Sequence, residues 1–209
     1  MLMFSRLLTL SGSPRRSMPW AVGITEYVNA HSSLDVSCWL GNFGYPVGTV
    51  AWSALVESQA ALTAGTAELL VDPGYFDMIE SAADLVAGPG QDSLRELIYG
   101  TPAEPPAIGA VANVTTATAI VDSMADAVGW AIEMAQYVES VISTPVAVLT
   151  DLFGTLGTIT WISSQPDAAA TDTARGKINA DGDYLKRVSG SKGLFIEGSG
   201  HVGQATRIA

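Results

Sequence analysis

The chain has 209 residues, of which 48% are hydrophobic and 15% are charged, so it can bury a core and does not have the composition of a disordered chain. Its formal net charge of −11 leaves no surplus of lysine and arginine to neutralise phosphates, which argues against a nucleic-acid partner. A single cysteine, Cys38, excludes an internal disulfide framework and suits a reducing compartment. We expect that thiol to be buried and inert rather than reactive.

No stretch of the sequence has the length and apolar character expected of a membrane span. The longest apolar run, residues 141–162, is interrupted by Pro145, Asp151 and Gly157. The N-terminal stretch carries Arg6 in its middle and lacks a basic leader, so it does not resemble a signal peptide. We therefore expect a soluble protein with a cytoplasmic location.

The first half of the chain predicts the element order β-α-β-β-α-β. The predicted elements are a strand at 3–10, a helix from about Pro19, strands at 36–40 and 50–56, helical segments at 58–70 and from Asp72, and a strand at 93–99. Ser58 and Asp72 are the expected N-caps of the two later helical segments. Residues 42–48 are rich in turn-forming residue types. The second helical region is expected to bury Tyr75 and Ile79.

The second half predicts the same order after a proline-rich linker at 101–107. Its predicted elements are a strand at 108–116, a helix at 118–142, a hairpin at 146–163, helices near 168–178 and 183–188, and a strand at 201–208. The chain is thus predicted to contain two domains, residues 1–100 and residues 108–209.

An internal repeat supports this division. Gly48-Thr-Val-Ala-Trp52 recurs 109 residues later as Gly157-Thr-Ile-Thr-Trp161, and the same offset carries Asp72 onto Asp181 and Tyr75 onto Tyr184. A second block, Trp20 to Val28, matches Trp130 to Val138 at an offset of 110. We interpret the chain as a tandem duplication of one ferredoxin-like module of about 100 residues.

The duplication predicts how the two modules assemble. A single ferredoxin-like sheet has one face under its helices and one open apolar face, which is a liability in a soluble chain. Two linked copies can bury these open faces against each other. We therefore predict an α+β fold in which two βαββαβ modules form an intrachain pseudo-dimeric barrel with a space between the sheets.

A segment in each copy resembles the strand–helix–Asp-Pro-aromatic pattern of NIPSNAP-like proteins. In the first copy it consists of Gly48-Thr-Val-Ala-Trp52, Ser58 and Leu70-Val-Asp-Pro-Gly-Tyr75, and the second copy replaces Asp-Pro-Gly by Asp181-Gly-Asp183. The resemblance implies the dimeric α+β barrel fold and names no shared reaction. The fold is also that of the antibiotic-biosynthesis monooxygenases, and Trp52-Ser53 is similar to their strand-three tryptophan region. The histidine that often follows about ten residues later is absent, since Leu62 stands there.

Four residues are the candidate ligand-binding positions. Trp52 and Trp161 either wall a pocket for a flat apolar ligand or pack as core under the helices. Asn42, which we expect to correspond to Asp151 in the second copy, either anchors a ligand or makes a turn. His31 lies on the apolar helical stripe where the second copy has Val141, and it either points into solvent at the helix end or marks a local specialisation.

These observations favour a binding or assembly module without its own catalytic constellation. We expect no cofactor and no metal site, because two histidines and one cysteine are too few for a metal cluster, although either histidine could serve as an axial haem ligand. The expected partners are a small apolar ligand and other protein chains in a homo- or hetero-oligomer. The alternative is a cofactor-independent monooxygenase or isomerase that uses the space between the sheets, with Trp52, Trp161 and Asn42 as its site.

Overall fold

The computed structural model describes residues 1–101 and 105–209, and these form eight β-strands and six α-helices. The strands are β1 (Leu2–Thr9), β2 (Val36–Phe43), β3 (Thr49–Val56), β4 (Gln91–Tyr99), β5 (Val111–Thr118), β6 (Val146–Phe153), β7 (Thr158–Gln165) and β8 (His201–Arg207). The helices are α1 (Pro14–His31), α2 (Gln59–Leu70), α3 (Pro73–Glu80), α4 (Met124–Ile142), α5 (Ala168–Ala180) and α6 (Gly182–Ser189). The mixed α+β class and the predicted order of elements in each half are confirmed.

The strands of the described residues are hydrogen-bonded in the order β1-β3-β2-β8-β5-β7-β6-β4 and close into a barrel. Contacts divide the chain into unit 1, residues 1–94 with 205–209, and unit 2, residues 95–204. Strands β4 and β8 each contribute residues to both units. The domain boundaries predicted from the repeat, residues 1–100 and 108–209, rest on the sequence alone and remain a prediction. Part of the predicted linker, residues 102–104, lies outside the described residues.

In unit 1 the central strand is β3, which pairs antiparallel with β1 on one side and with β2 on the other. Trp52 lies opposite Arg6 on β1 and opposite Cys38 on β2. Alternate residues of β3 face the helices, and they form the core of the unit with residues of α1. The buried members of this core are Leu10, Ala21, Ile24, Val36, Cys38, Val50, Trp52 and Ala54.

Unit 2 repeats this arrangement with β7 between β5 and β6. Trp161 lies opposite Thr115 and Val148, as Trp52 lies opposite Arg6 and Cys38 in unit 1. The buried core members are Ala119, Ala127, Ala131, Ala135, Val146, Val148 and Ile159. Alanines dominate the α4 side of this core, so helix and sheet can approach closely there.

The strand registers show where along the chain the repeat offset changes from 110 to 109 residues. Leu40 of β2 pairs with Val50, whereas Thr150 of β6 pairs with Ile159. The offset is therefore 110 in β2 and β6 but 109 in β3 and β7. The turn between β6 and β7 is therefore one residue shorter than the turn between β2 and β3.

The glycine of each Gly-Thr-x-x-Trp motif is required by a close approach of two backbone segments. Gly48 has φ +86° and its carbonyl accepts a hydrogen bond from the Leu10 N–H at 2.8 Å, and a Cβ on Gly48 would lie 2.7 Å from the Leu10 carbonyl oxygen. Gly157 has φ +84° and makes the same contact with Ala119, whose N–H donates at 2.9 Å. The motif thus begins with a residue that fixes the start of the central strand.

Side-chain caps begin the later helices, as the sequence predicts. The hydroxyl of Ser58 accepts from Ala61 N at 3.1 Å at the start of α2, and Asp72 Oδ1 accepts from Gly74 N at 2.9 Å at the start of α3. In unit 2, Asp167 and Asp181 cap α5 and α6 in the same way.

Three details of the predicted helices are wrong. Helix α4 begins at Met124 rather than near residue 118, because β5 continues to Thr118. Helix α1 begins at Pro14 rather than near Pro19, because proline is well suited to the first helical turn and both prolines are accommodated near this end of the helix. Ile79 is 42% exposed although its spacing from Tyr75 predicted burial. Helix α3 ends at Glu80, so it is too short for a stripe reaching Val86, and Met78 packs against the core instead.

Within the described part of the chain, no helix combines the length and apolar character that crossing a membrane requires.

The close approach at Gly48 can be tested by substitution. Gly48→Ala should lower the free energy of unfolding by about 1–3 kcal/mol, because alanine disfavours positive φ and its methyl group would meet the Leu10 carbonyl. Urea unfolding followed by circular dichroism measures the change. The matched control is Gly176→Ala in α5, where a Cβ meets no atom within 4 Å, and it should raise stability by about 0.5–1 kcal/mol. Equal stabilities of Gly48→Ala and the wild type would contradict this assignment.

Candidate functional site

Trp52 lies in the core of unit 1 between β3 and α1. It is 9% exposed, and its Nε1–H donates to the Thr25 hydroxyl at 2.8 Å. That hydroxyl donates in turn to the Ala21 carbonyl at 2.7 Å, so the indole is connected to the α1 backbone. The ring of Trp20 meets Trp52 edge to face with centroids 5.9 Å apart. Of the two positions that the sequence left open, Trp52 occupies the one under the helix, and its ligand-binding role remains a prediction.

Trp161 makes the corresponding contact in unit 2 without an intervening hydroxyl. Its Nε1–H donates directly to the Ala131 carbonyl at 3.0 Å, and Ala131 is the counterpart of Ala21. Its ring packs edge to face on Trp130 with centroids 6.1 Å apart, and Phe195 lies 6.0 Å away. Trp161 is half-buried and lies against the unit 2 core cluster. A ligand-binding role for Trp161 is likewise still a prediction.

Asn42 lies within β2 rather than in the hairpin turn. Its Nδ2 donates to the Thr206 hydroxyl at 2.7 Å. The strand registers make Leu152 its counterpart, so the predicted pairing of Asn42 with Asp151 is displaced by one residue. Asp151 instead forms a largely buried ion pair with Arg95 at 2.7 Å. Both polar groups have protein partners, and the ligand-binding role proposed for Asn42 is untested.

His31 belongs to a cluster of three polar side chains at the end of α1. Its Nδ1 lies 3.1 Å from Asp72 Oδ2, and its ring stacks on Tyr27 with centroids 4.0 Å apart and planes 8° apart. The Tyr27 hydroxyl donates to the same Asp72 Oδ2 at 2.8 Å. A Cβ at Gly74 would collide with that hydroxyl, which explains the glycine of Asp-Pro-Gly. The His31 side chain thus contacts both residues at the end of α1 while it is 48% exposed, and its ligand-binding role stays a prediction.

Unit 2 builds the same cluster with a different basic side chain. The Tyr137 hydroxyl donates to Asp181 Oδ1 at 2.7 Å, as Tyr27 donates to Asp72 in unit 1. Val141 stands where unit 1 has His31, and the guanidinium of Arg187 lies over the Tyr137 ring, 4.0 Å from its centroid. Each unit thus places one basic side chain on the face of the tyrosine that holds the capping aspartate.

The hydrogen bond between phenol and carboxylate shifts the pKa values of both groups. The bond from Tyr27 holds the pKa of Asp72 below its usual value, and in unit 2 the bond from Tyr137 does the same to the pKa of Asp181. The same bonds raise the pKa values of Tyr27 and Tyr137, because each phenol donates to a carboxylate. At neutral pH both clusters therefore consist of an ionised aspartate and a neutral tyrosine.

Few chemical roles fit these groups. Asp72 orients the half-exposed imidazole of His31, which is an arrangement that can hold or pass one proton. Cys38 is fully buried and desolvation raises the pKa of its thiol to about 11, so it is a poor nucleophile. No group of three or more His, Cys, Asp or Glu side chains among the described residues is placed to hold a metal ion.

An open groove of about 210 Å³ lies beside the unit 2 cluster. Its lining residues are Trp130, Glu133, Met134, Arg187 and Gly190. Arg187 could not be identified from the sequence, because Met78 occupies the equivalent position in unit 1 and the repeat gives no signal there. Tyr27 and Tyr137 were visible only as matching members of the apolar helical stripe.

No protein-family model matches the chain, and no curated protein matches its sequence. Solved structures do match over nearly the whole length. A candidate monooxygenase of Fusobacterium nucleatum has a TM-score of 0.73 and 9% identity, and the match covers 100% of this chain and 92% of that one. An anthrone oxidase-like protein has a TM-score of 0.71 and 11% identity, covering 100% and 91%.

A candidate monooxygenase of Lactobacillus acidophilus has a TM-score of 0.67 and 10% identity, covering 99% of this chain and 93% of that one. At such identities the three similarities establish a shared fold. The chain has the α+β barrel fold of these proteins.

Proposed function

We propose that this chain is a binding or assembly module made by tandem duplication of a ferredoxin-like unit of the NIPSNAP-like type. One observation carries the proposal: the prominent polar and aromatic side chains of the repeat are engaged in holding helices to sheets or to other helices. Trp52, Trp161, Asp72 and Asp181 all have such partners. We also propose a cytoplasmic location, on the basis of the single cysteine, which is buried.

Matched hydrogen bonds support the duplication. Trp20 Nε1–H donates to the Met78 carbonyl at 2.9 Å, and Trp130 Nε1–H donates to the Arg187 carbonyl at 3.2 Å. Trp130 and Arg187 are the counterparts of Trp20 and Met78 at offsets of 110 and 109. Two unrelated sequences would not be expected to place an indole donor against the main-chain carbonyl of the equivalent residue in each unit.

The shifted pKa values favour binding over acid–base catalysis. A general acid or base works best when its pKa lies near the operating pH. The Tyr27–Asp72 bond moves the pKa values of both groups away from neutrality, and the Tyr137–Asp181 bond does the same in unit 2. These clusters are therefore suited to holding α3 and α6 in place.

Exposed apolar side chains supply surfaces for partners. Phe43 and its counterpart Phe153 are 70% and 59% exposed at the ends of β2 and β6. Phe76 and Leu185 are likewise equivalent and exposed, on α3 and α6. Such positions, repeated in both units, are typical of interaction surfaces rather than of solvated faces.

The second candidate function is a cofactor-independent monooxygenase that acts on a small apolar ligand. The observation that favours it is the set of fold relatives, two of which are named as monooxygenases and one as anthrone oxidase-like. Trp52, Trp161, Asn42 and His31 remain the proposed ligand-binding residues for this function.

The structural role of the tyrosine–aspartate bonds predicts a pH dependence. Asp72 has a lowered pKa in the folded state, so its contribution to stability is present above the unfolded-state value of about 4 and is lost as the pH falls through the folded value. Tyr27 has a raised pKa, so its contribution is present below about 10 and is lost as the pH rises through the folded value.

A double-mutant cycle of Tyr27→Phe and Asp72→Asn measures this coupling by urea unfolding. The two substitutions should be non-additive at pH 7, and the coupling should disappear at acid pH. The cycle Tyr137→Phe with Asp181→Asn is the matched comparison in unit 2 and should behave alike. Additive effects at pH 7 in both units would contradict the structural role.

Native mass spectrometry of the protein purified from its own source tests the binding role. We expect a species heavier than one chain, made of copies of this chain or of this chain with another protein, because the exposed apolar positions need cover. A bare monomer that retains a small apolar molecule would instead support the monooxygenase.

Oxygen uptake with anthrone as the probe tests the monooxygenase directly. We expect no uptake above the rate without protein, measured with an oxygen electrode in metal-free buffer. Protein-dependent uptake that Trp161→Phe or Asn42→Ala reduces, while Phe43→Ala leaves it unchanged, would overturn the assignment of a binding module.

A further inference from the structure

We propose that two helical surfaces of this chain bind each other between copies, head to tail. The acidic face comprises the exposed residues of α2 and α3 in unit 1, and the basic face comprises those of α5 and α6 in unit 2. The inference rests on the proposed binding function and names its partner, a second copy of the same chain.

The two faces occupy equivalent positions but carry opposite charge. Among their exposed residues, α2 and α3 carry Glu68, Asp77 and Glu80 and no lysine or arginine, whereas α5 and α6 carry two aspartates, two lysines and two arginines. The region without a basic residue other than histidine extends from Ser17 to Leu94. Nine of the 21 acidic residues of the chain lie in that region, and two of them, Asp84 and Asp92, are paired with Arg16 and Arg6.

Charge is reversed at two individual positions. Glu68 on α2 is replaced by Lys177 on α5, and Asp77 on α3 is replaced by Lys186 on α6. All four residues are exposed. Lys186 has one ion pair, with Asp183 three residues away, and such exposed pairs contribute little to stability. Its charge remains available to a partner.

Apolar side chains lie among these charges on both faces. Phe76 and Ile79 on α3 are 43% and 42% exposed, and their counterparts Leu185 and Val188 on α6 are 67% and 36% exposed. At the end of α2, Leu70 and Val71 enlarge the acidic face. Apolar anchors within complementary charged surroundings are what a specific protein interface requires.

The charge difference makes the interface heterologous. Two acidic faces repel each other, so copies meet acidic face to basic face, and a contact of this kind leaves one free face at each end of a pair. Both faces carry exposed apolar side chains in the single chain. Association should therefore grow with concentration and weaken with salt.

Sedimentation velocity of the full chain tests the proposal, with Phe76→Asp and Leu185→Asp as the two interface variants. The wild type should form species above the monomer mass that dissociate at high salt. Each variant alone should self-associate at least about tenfold more weakly, equivalent to about 1.4 kcal/mol. An equal mixture should form a dimer of one copy of each, because Phe76→Asp retains a basic face and Leu185→Asp retains an acidic face.

Ile108→Asp is the matched control, since it places the same charge on an exposed apolar side chain outside both faces, and it should associate like the wild type. Circular dichroism establishes that all three variants are folded. A wild type that stays monomeric at low salt, a mixture that stays monomeric, or dissociation by Ile108→Asp would overturn the proposal. A chain that does not self-associate but captures a different protein in native mass spectrometry would overturn the proposed self-association and leave the binding function intact. Anthrone-dependent oxygen uptake would overturn the binding function itself.

Discussion

Hydrogen bonds from aromatic side chains fix the helix layer of each unit on its sheet. Apolar packing alone allows a helix to slide or rotate over a sheet, because dispersion contacts have no strong direction. The indoles of Trp52 and Trp161 remove that freedom by donating to the α1 hydroxyl of Thr25 and to the α4 backbone. Trp20 and Trp130 extend the connection from the first helix of each unit to α3 and α6. These bonds position α1 and α4, the helices that carry Tyr27, His31 and Tyr137.

The capping aspartates show how one side chain can serve two elements. Asp72 begins α3 through the Gly74 N–H and holds the end of α1 through Tyr27. In unit 2 a single oxygen of Asp181 accepts from Tyr137 and from two backbone N–H groups of α6. A carboxylate that accepts several hydrogen bonds is stabilised as the anion, so both aspartates are ionised in the folded state. His31 of α1 and Arg187 of α6 each place a basic side chain against the ring of the corresponding tyrosine.

Much of this scaffold could be predicted from the sequence. The repeat identified Trp52 with Trp161 and Asp72 with Asp181, and helix capping explained why an aspartate begins α3. The one-residue shift in the hairpin could not be placed, because only strand pairing shows that Asn42 corresponds to Leu152. Exposure of Ile79 was missed because periodicity does not report where a short helix ends. Arg187 was missed because a cation can reach a ring from a different helix.

The way these bonds are made explains how the two units can share a scaffold and differ at the surface. Trp20 and Trp130 donate to main-chain carbonyls, so the side chains of the accepting residues, Met78 and Arg187, do not take part in the bond. Met78 therefore packs on the core in unit 1, while Arg187 in unit 2 turns outward over Tyr137 and lines a groove. Because backbone acceptors are the same for every residue type, the charges of α3 and α6 are free to diverge without loosening either helix.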